Sequence, residues 1–179
     1  MAVDTKTLLH GERELIRDRF ADFERGVLQD NIILCDAKSG ILLAFAGGMV
    51  IFCTDAFVQA VGARPTGAIA LAAAAVLAVA GVAFVGACHF ALMTVIPRIR
   101  RGVKDHVFWE SPIFLLPVDD YVSRMQTLDL ASERHDKLRH LHMLAGICRE
   151  KFKHFLRAIR FAQIGFVALV AAELARLAG

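Results

Sequence analysis

Apolar and polar positions in this chain separate into long blocks. The longest apolar block covers residues 68–96 and contains no Asp, Glu, Lys or Arg. A helix of that length extends about 43 Å, whereas the hydrocarbon core of a bilayer is about 30 Å thick. Because lipid offers no hydrogen-bond partner to a free backbone group, the block predicts a transmembrane helix.

The N-terminal block has the pattern of an amphipathic helix that runs into a second apolar block. Apolar residues recur at helical spacing between charged residues, at Ile16, Phe20, Phe23, Val27 and Leu34. No proline interrupts the passage into residues 41–61, which are apolar except for Thr54, Asp55 and Gln59. We therefore expect a cytoplasmic amphipathic helix over residues 1–38, continuous with a first transmembrane helix over residues 39–61.

A third helix is predicted to start near Asp119, with Asp119 or Asp120 as its N-cap. From Leu138 to Leu169 its apolar residues alternate steps of three and four, and this register continues into the apolar run 161–177. We expect a cytoplasmic link and helical stalk over residues 97–157 and a third transmembrane helix over 158–178. The predicted fold is an all-α membrane protein with three transmembrane helices, the first and third continuous with long cytoplasmic amphipathic helices.

The distribution of charge predicts the orientation. Of the 21 Lys and Arg residues, all but Arg64 and Arg176 lie in residues 1–38 or 97–160. Since cytoplasmic segments carry the excess of positive charge, we expect a multi-pass protein with three spans, a cytoplasmic N-terminus and its C-terminus outside. We expect no secretory signal, because the first apolar run starts only at Ile41. The net charge of +3 is too small to indicate a nucleic-acid partner.

Signatures of catalysis and of metal binding are absent from the sequence. It contains no GxSxG, HExxH, GxGxxG or GxxxxGK[ST] motif and no CxxC. His135, His140 and His142 are close in sequence, but no pair of them is three or four residues apart, the spacing that places two side chains on one helical face. We expect neither an enzyme nor a metal site, and no catalytic residue is assigned.

Two acidic residues lie within the apolar blocks. Asp55 is either an acid at the membrane interface or a residue that faces a polar cavity, since a carboxylate at mid-membrane costs roughly 2.5–3.5 kcal/mol. Glu173 has Arg176 three residues on, a spacing that favours an interfacial ion pair. In an assembly of several subunits, a ring of either acid is a candidate lining for a cation pathway.

The predicted stalk carries several cations among aromatic residues. The aromatic residues are Tyr121 and Phe152, and the cations are Arg124, Arg134, Arg139, Arg149 and Lys151. Arginine suits bidentate recognition of a phosphate, and an aromatic face can stack on a base. The alternative is a solvated charged helix with ion pairs between successive turns.

The sequence resembles the transmembrane Pycsar effectors, a family of bacterial anti-phage proteins. Asp36-Ala37-Lys38-Ser39 followed by Ile41-Leu42-Leu43 is similar to the D-x-K-A-S-x-L-L opening of that family. Further similar segments follow in the family's order: Pro97-Arg98, Phe108-Trp109, Arg139-His140-Leu141-His142-Met143-Leu144 and Lys151-Phe152. The chain departs from the family pattern at His140, His142 and Gly40, where Gln, Tyr and Ala are usual.

The resemblance implies an effector that responds to cyclic CMP or cyclic UMP made by a partner nucleotide cyclase. It then disrupts or permeabilises the inner membrane, which causes abortive infection. We expect Arg139 and Lys151 to bind the phosphate, with His140 and Arg134 completing the ligand-binding set, and we expect a homo-oligomer in contact with membrane lipid. The resemblance implies no cofactor.

Asp36 and Lys38 form a candidate interfacial pair that couples the stalk to the first span. The alternative is a lysine that reaches to the headgroup layer beside an acid. The competing functions are a non-conducting membrane adaptor and a ligand-independent channel.

Overall fold

A computed structural model describes residues 5–62, 67–96, 117–127 and 129–178. Side chains are described in these ranges except at residues 5–14, 124–125, 130–131 and 178. The described chain consists of four helices: α1 (Thr5–Gly62), α2 (Ala68–Val95), α3 (Val118–Gln126) and α4 (Leu130–Ala178). The predicted segments Pro97-Arg98 and Phe108-Trp109 lie outside the described residues.

Three of the four helices are long and apolar enough to cross a membrane. The candidate spans lie within Leu15–Gly62, Ala68–Val95 and Ser132–Leu177. The predicted all-α fold with three such helices is confirmed, and α1 and α4 each continue from a charged section into an apolar one without a break. The chain is a membrane protein.

The single helix predicted from Asp119 onward is two helices. α3 ends at Gln126 and α4 starts at Leu130, where the Asp129 carboxylate accepts a hydrogen bond of 2.6 Å from the backbone N–H of Ser132. A side chain that caps a helix start in this way favours a new helix over continuation of the old one. Asp119 and Asp120 lie inside the first turn of α3, so the prediction that one of them is its N-cap is wrong.

The chain divides into two compact units. The polar unit comprises Met1–Ile32 and Arg98–Cys148, and the apolar unit comprises Ile33–Pro97 and Arg149–Gly179. In the polar unit, α1 and α4 are joined by ion pairs, Arg134 with Asp18 and Lys137 with Asp22. Ala21, which lies between Asp18 and Asp22 in the sequence, is buried.

The core of the apolar unit is built from small residues of α1, α2 and α4. Its members include Ala46, Cys53, Ala80, Ala87, Ala162 and Ala172. Small side chains let helix backbones approach closely, which is how helices associate where lipid removes the hydrophobic driving force. Large apolar side chains lie on the outside of this unit, among them Ile41, Ile51, Val82, Val167 and Leu174.

Phe84 is the largest side chain that is fully buried in this core. Its ring meets Phe45 of α1 edge to face, with the ring centroids 6.2 Å apart. On α4 the ring lies against Gly165, where a Cβ atom would stand 3.0 Å from it. Phe84 therefore fixes α2 against both neighbouring helices.

The apolar stripe predicted for the start of α1 does not face the rest of the chain. Ile16, Phe20, Phe23, Val27 and Leu34 are all exposed. The buried positions of α1 fall on a different stripe, at Ala21, Cys35, Ser39, Ala46, Cys53 and Ala56. The helix thus uses its small residues for packing within the chain and leaves its large ones outside.

Candidate functional site

Lys151 is the centre of the polar contacts in the apolar unit. Its Nζ lies 2.5 Å from Oδ1 of Asp36 on α1 and donates a second hydrogen bond of 2.8 Å to the backbone carbonyl of Thr94 on α2. The lysine itself is on α4, and its side chain is 14% exposed. One ammonium group therefore links all three helices of the unit.

The carbonyl of Thr94 suits this role because of its place in α2. The last four carbonyls of a helix have no partner inside it, and they carry the negative end of the helix dipole. Thr94 is the penultimate residue of α2, and its own hydroxyl donates to the Phe90 carbonyl at 3.0 Å. Lys151 thus caps the end of α2 while it neutralises Asp36.

A buried hydroxyl lies one helical turn beyond Asp36. Ser39 is fully buried, and among the residues that the structure describes its Oγ has no hydrogen-bond partner. Burying a hydroxyl without a partner costs about 1–3 kcal/mol. Within the described residues, the packing around Ser39 therefore leaves its hydroxyl without a hydrogen bond.

Aromatic residues form a further group of contacts between α2 and α4, the helices that carry Thr94 and Lys151. The ring of Phe90 on α2 stacks against His154 and Phe161 of α4, with centroid distances of 6.1 and 5.4 Å. The guanidinium of Arg157 lies 5.8 Å from the centre of the Phe90 ring, within reach of a cation–π contact. Aromatic faces and cations are thus concentrated where α2 ends.

The polar unit has a second cationic group, already neutralised by α1. Arg134 makes a two-pronged contact with Asp18, with Nε and Nη2 at 3.2 and 3.0 Å from the two carboxylate oxygens. Lys137 reaches Asp22 at 2.8 Å and the Asp18 backbone carbonyl at 3.3 Å. Arg139 follows on α4 as an exposed side chain.

The predicted site residues are divided between the two units. Arg134, Arg139 and His140 belong to the polar unit, and Lys151 belongs to the apolar unit. Asp36, paired in our prediction with Lys38, has Lys151 as its partner, while Lys38 is exposed.

The two acids predicted as candidate pore-lining residues have neighbours on their own helices. Asp55 accepts a hydrogen bond of 2.8 Å from Gln59 and is exposed. Glu173 pairs with Arg176 at 3.2 Å, as their spacing indicates.

Sequence reasoning missed Asp18, Asp22, Lys137 and Thr94. A signal for the first three exists: Asp18 and Asp22 are one turn apart on α1, and the cations that they contact are one turn apart on α4. Opposite charges at matched spacing on two helices indicate pairing. The Thr94 carbonyl has no such signal, because a backbone group is present at every position.

Comparison with known proteins gives one family. A family model described as the Pycsar effector protein domain, PycTM, matches residues 20–176. No curated protein and no solved structure matches the chain.

Proposed function

The chain belongs to the Pycsar effector family, and from that premise we propose that it is an anti-phage membrane effector switched on by cyclic CMP or cyclic UMP. A partner cyclase makes the nucleotide during infection. The activated protein permeabilises or disrupts the inner membrane, and abortive infection follows. The proposal assigns no catalytic step to the chain.

The observation that carries the proposal is the Lys151 contact with Asp36 and with the end of α2. Because one ammonium group joins three apolar helices, an anion that competes for that group changes the packing of the helices. A ligand that binds one packing better than another shifts the population towards it. The nucleotide phosphate is such an anion, and Lys151 is our candidate for the group that Asp36 and the phosphate compete for.

Arg139 is the candidate for first contact with the phosphate. Its side chain is exposed and lies in the segment that resembles the family's stalk motif. Arg139 also lies on the same helix as Lys151, so binding at one can bias the packing at the other. His140 and Arg134 complete the proposed ligand-binding set in the polar unit.

Membrane permeabilisation by this fold calls for several copies. Three helices of one chain cannot enclose a wide aqueous path, so we propose a homo-oligomer, with Asp55 and Glu173 as candidate lining residues. A mass measurement in detergent that gives a monomer both with and without nucleotide contradicts this part of the proposal.

Binding of radiolabelled cyclic CMP and cyclic UMP to the purified protein tests the nucleotide proposal. We expect saturable binding of one of them, and an Arg139→Ala variant should bind about tenfold or more weakly, since a hydrogen bond to a charged group contributes about 1.5–3 kcal/mol. Arg160→Ala, which removes another exposed arginine of α4 outside the predicted cationic group, is the matched control and should bind as the unchanged protein does.

Dye-loaded vesicles that contain the protein separate this function from its competitors. The effector leaks dye only after the nucleotide is added. A membrane adaptor shows neither saturable binding nor leakage, and a ligand-independent channel leaks without nucleotide. Either of these last results overturns the proposal.

A further inference from the structure

α1 carries two seven-residue repeats, of which one is buried and the other is exposed in the part of the chain that the structure describes. The buried repeat alternates steps of four and three through Cys35, Ser39, Leu42, Ala46, Met49, Cys53 and Ala56. These residues are buried or half-buried. The buried repeat therefore accounts for the packing of α1 against its own chain.

The second repeat, which we call the outer seam, has the same period and is exposed at every position. Its members are Ile16, Phe20, Phe23, Val27, Asp30, Leu34, Ala37, Ile41, Ala44, Gly48, Ile51, Asp55 and Val58. All of them are apolar or small except Asp30 and Asp55. A strict seven-residue apolar repeat sustained over a long helix is the pattern of a helix that pairs with another helix.

The partner of the outer seam has to pass from water into lipid. Residues 16–27 of the seam lie among charged residues, whereas residues 41–58 lie in the apolar block. Lipid can cover residues 41–58 but not residues 16–27. A soluble protein can cover residues 16–27 but not residues 41–58. A second copy of this chain offers a helix of the same length, with the same change of polarity at the same residue.

Charges beside the seam agree with a copy that runs parallel. In the seven-residue register, Arg19 and Glu24 flank the seam at the two positions that face each other across a parallel pair, five residues apart. Arg19 of one copy would then lie opposite Glu24 of the next, twice per pair. Two copies inserted in the same direction have no other orientation available to α1.

Polar residues in the apolar half of the seam also favour a parallel pair of copies. Asp55 and its hydrogen-bonded neighbour Gln59 are both exposed there, where contact with lipid is unfavourable. In a parallel pair the Gln59 side-chain amide of one copy can donate a hydrogen bond to the Asp55 carboxylate of the other. Ala44 and Gly48 are small enough to let the two backbones approach.

We infer that the outer seam of α1 is the interface through which copies of this chain assemble, by parallel α1–α1 pairing. This inference rests on the homo-oligomer of the proposed function and names the surface through which the copies pair. It requires no nucleotide, so its test is independent of the binding and leakage experiments.

Cysteine cross-linking tests the inference in both halves of the seam. Cys35, Cys53, Cys88 and Cys148 are first replaced by Ala, and single cysteines are introduced by Val27→Cys and Ile51→Cys. Their matched controls are Gln29→Cys and Phe57→Cys, which share one position of the seven-residue register on a face of α1 away from the seam; Gln29 is exposed and Phe57 is half-buried. After mild oxidation in membranes, the disulfide-linked dimer should be about tenfold more abundant at each seam position than at its control, because only there do the Cβ atoms come within disulfide range.

Equal yields at seam and control positions overturn the inference. An excess confined to one half of the seam also overturns it, because lipid or a soluble protein then covers the other half. If the cysteine-free protein does not accumulate, the same four variants are compared in the native background, where Cys35 and Cys53 are buried.

Charge reversal gives a second readout on the same surface. Glu24→Arg should lower the cross-linking yield at Val27→Cys, and adding Arg19→Glu should restore it. Failure of the double reversal to restore the yield contradicts the parallel register. Nucleotide binding is measured on the same proteins, so a failed seam and a failed nucleotide site give different results.

Discussion

At the scale of single residues, Lys151 has the most consequential position in the apolar unit. Its ammonium neutralises the Asp36 carboxylate and meets an unpaired carbonyl at the end of α2. Both acceptors are left without this cation if the lysine is removed. A half-buried acid that has lost its partner is destabilising, because the penalty for taking it out of water remains.

We predict that Lys151→Met lowers the free energy of unfolding in detergent by about 1–3 kcal/mol. Methionine retains most of the length of the side chain, so the loss reports on the charge. Adding Asp36→Asn should recover part of the loss, because the unpaired charge disappears as well.

Lys153→Met is the control for that measurement. Lys153 makes an exposed ion pair with Glu150 three residues away on α4, and such pairs contribute about 0–1 kcal/mol. Equal destabilisation by the two substitutions would show that the Lys151 contacts have no special weight.

Asp129 makes the start of α4 sensitive to acid. Hydrogen bonds from the Ser132 side chain and backbone hold the pKa of this carboxyl below its ordinary value of 3.8. Because the pKa is lower in the folded state, the cap stabilises the protein above the ordinary value, and this contribution is lost as the pH falls through the lowered one.

Comparison of Asp129→Asn with the unchanged protein checks this prediction. Asparagine caps a helix about as well as aspartate but does not titrate. The thermal midpoint of the unchanged protein should therefore fall more steeply than that of Asp129→Asn as the pH is lowered below 3.8. Parallel pH curves for the two proteins would exclude a contribution from this carboxylate.

The kinds of residue that form the site could be predicted from the sequence, but their partners could not. The resemblance to the Pycsar effectors points to Lys151 and Asp36, and the series of cations along the predicted stalk points to Arg134. Arg134 and Asp18 lie 116 residues apart, and the sequence alone does not fix which faces of α1 and α4 meet. Lys38 was a natural choice as the partner of Asp36 by proximity, yet α4 brings Lys151 there instead.

At the scale of helices, the bounds of α1 and α2 follow from the sequence because long apolar runs without proline have one stable form in lipid. The packing of the apolar half of α1 does not follow from the sequence in the same way. In a soluble protein the large apolar residues mark the buried face, whereas here Ile41 and Ile51 are exposed and small residues are buried. A stripe of large apolar residues therefore marks the buried face of a helix in water but can mark the outer face in lipid. Periodicity alone does not distinguish the two cases.

The contact between α2 and α4 depends on a residue without a side chain. We predict that Gly165→Ala lowers the free energy of unfolding by about 1–3 kcal/mol, because its Cβ would stand 3.0 Å from a fully buried Phe84 ring that has little room to move. Denaturant unfolding in detergent measures the effect.

Gly47→Ala is the matched control, since a Cβ at Gly47 meets nothing within 4 Å. It should be neutral, or stabilising by less than about 1 kcal/mol through helix propensity. A second variant, Gly165→Ala with Phe84→Leu, should be less destabilised than the sum of its two single changes. Additive losses would place the cause elsewhere than in the contact between Gly165 and Phe84.

At the scale of the whole molecule, the arrangement of charge predicts which way the chain is inserted. The short loop between α1 and α2 contains Arg64 as its one basic residue, and the end of α4 contains Arg176. The remaining Lys and Arg residues lie in segments that the positive-inside rule retains in the cytoplasm. Three crossings with the N-terminus inside satisfy the rule at every segment, whereas the reverse orientation would translocate almost all of the positive charge.

Labelling of single cysteines by a membrane-impermeant maleimide tests that orientation in spheroplasts of a cysteine-free variant. Gly62→Cys and Leu177→Cys, both at exposed positions, should react from outside in intact spheroplasts. Gln29→Cys and Glu133→Cys should react only after the membrane is permeabilised. Because the proposed signal is made in the cytoplasm, Arg139 has to share the inner side with Glu133, its neighbour on α4. Protection of Leu177→Cys in intact spheroplasts would mean that α4 returns to the cytoplasm, and labelling of Glu133→Cys from outside would place the proposed nucleotide contacts beyond the reach of the cyclase product.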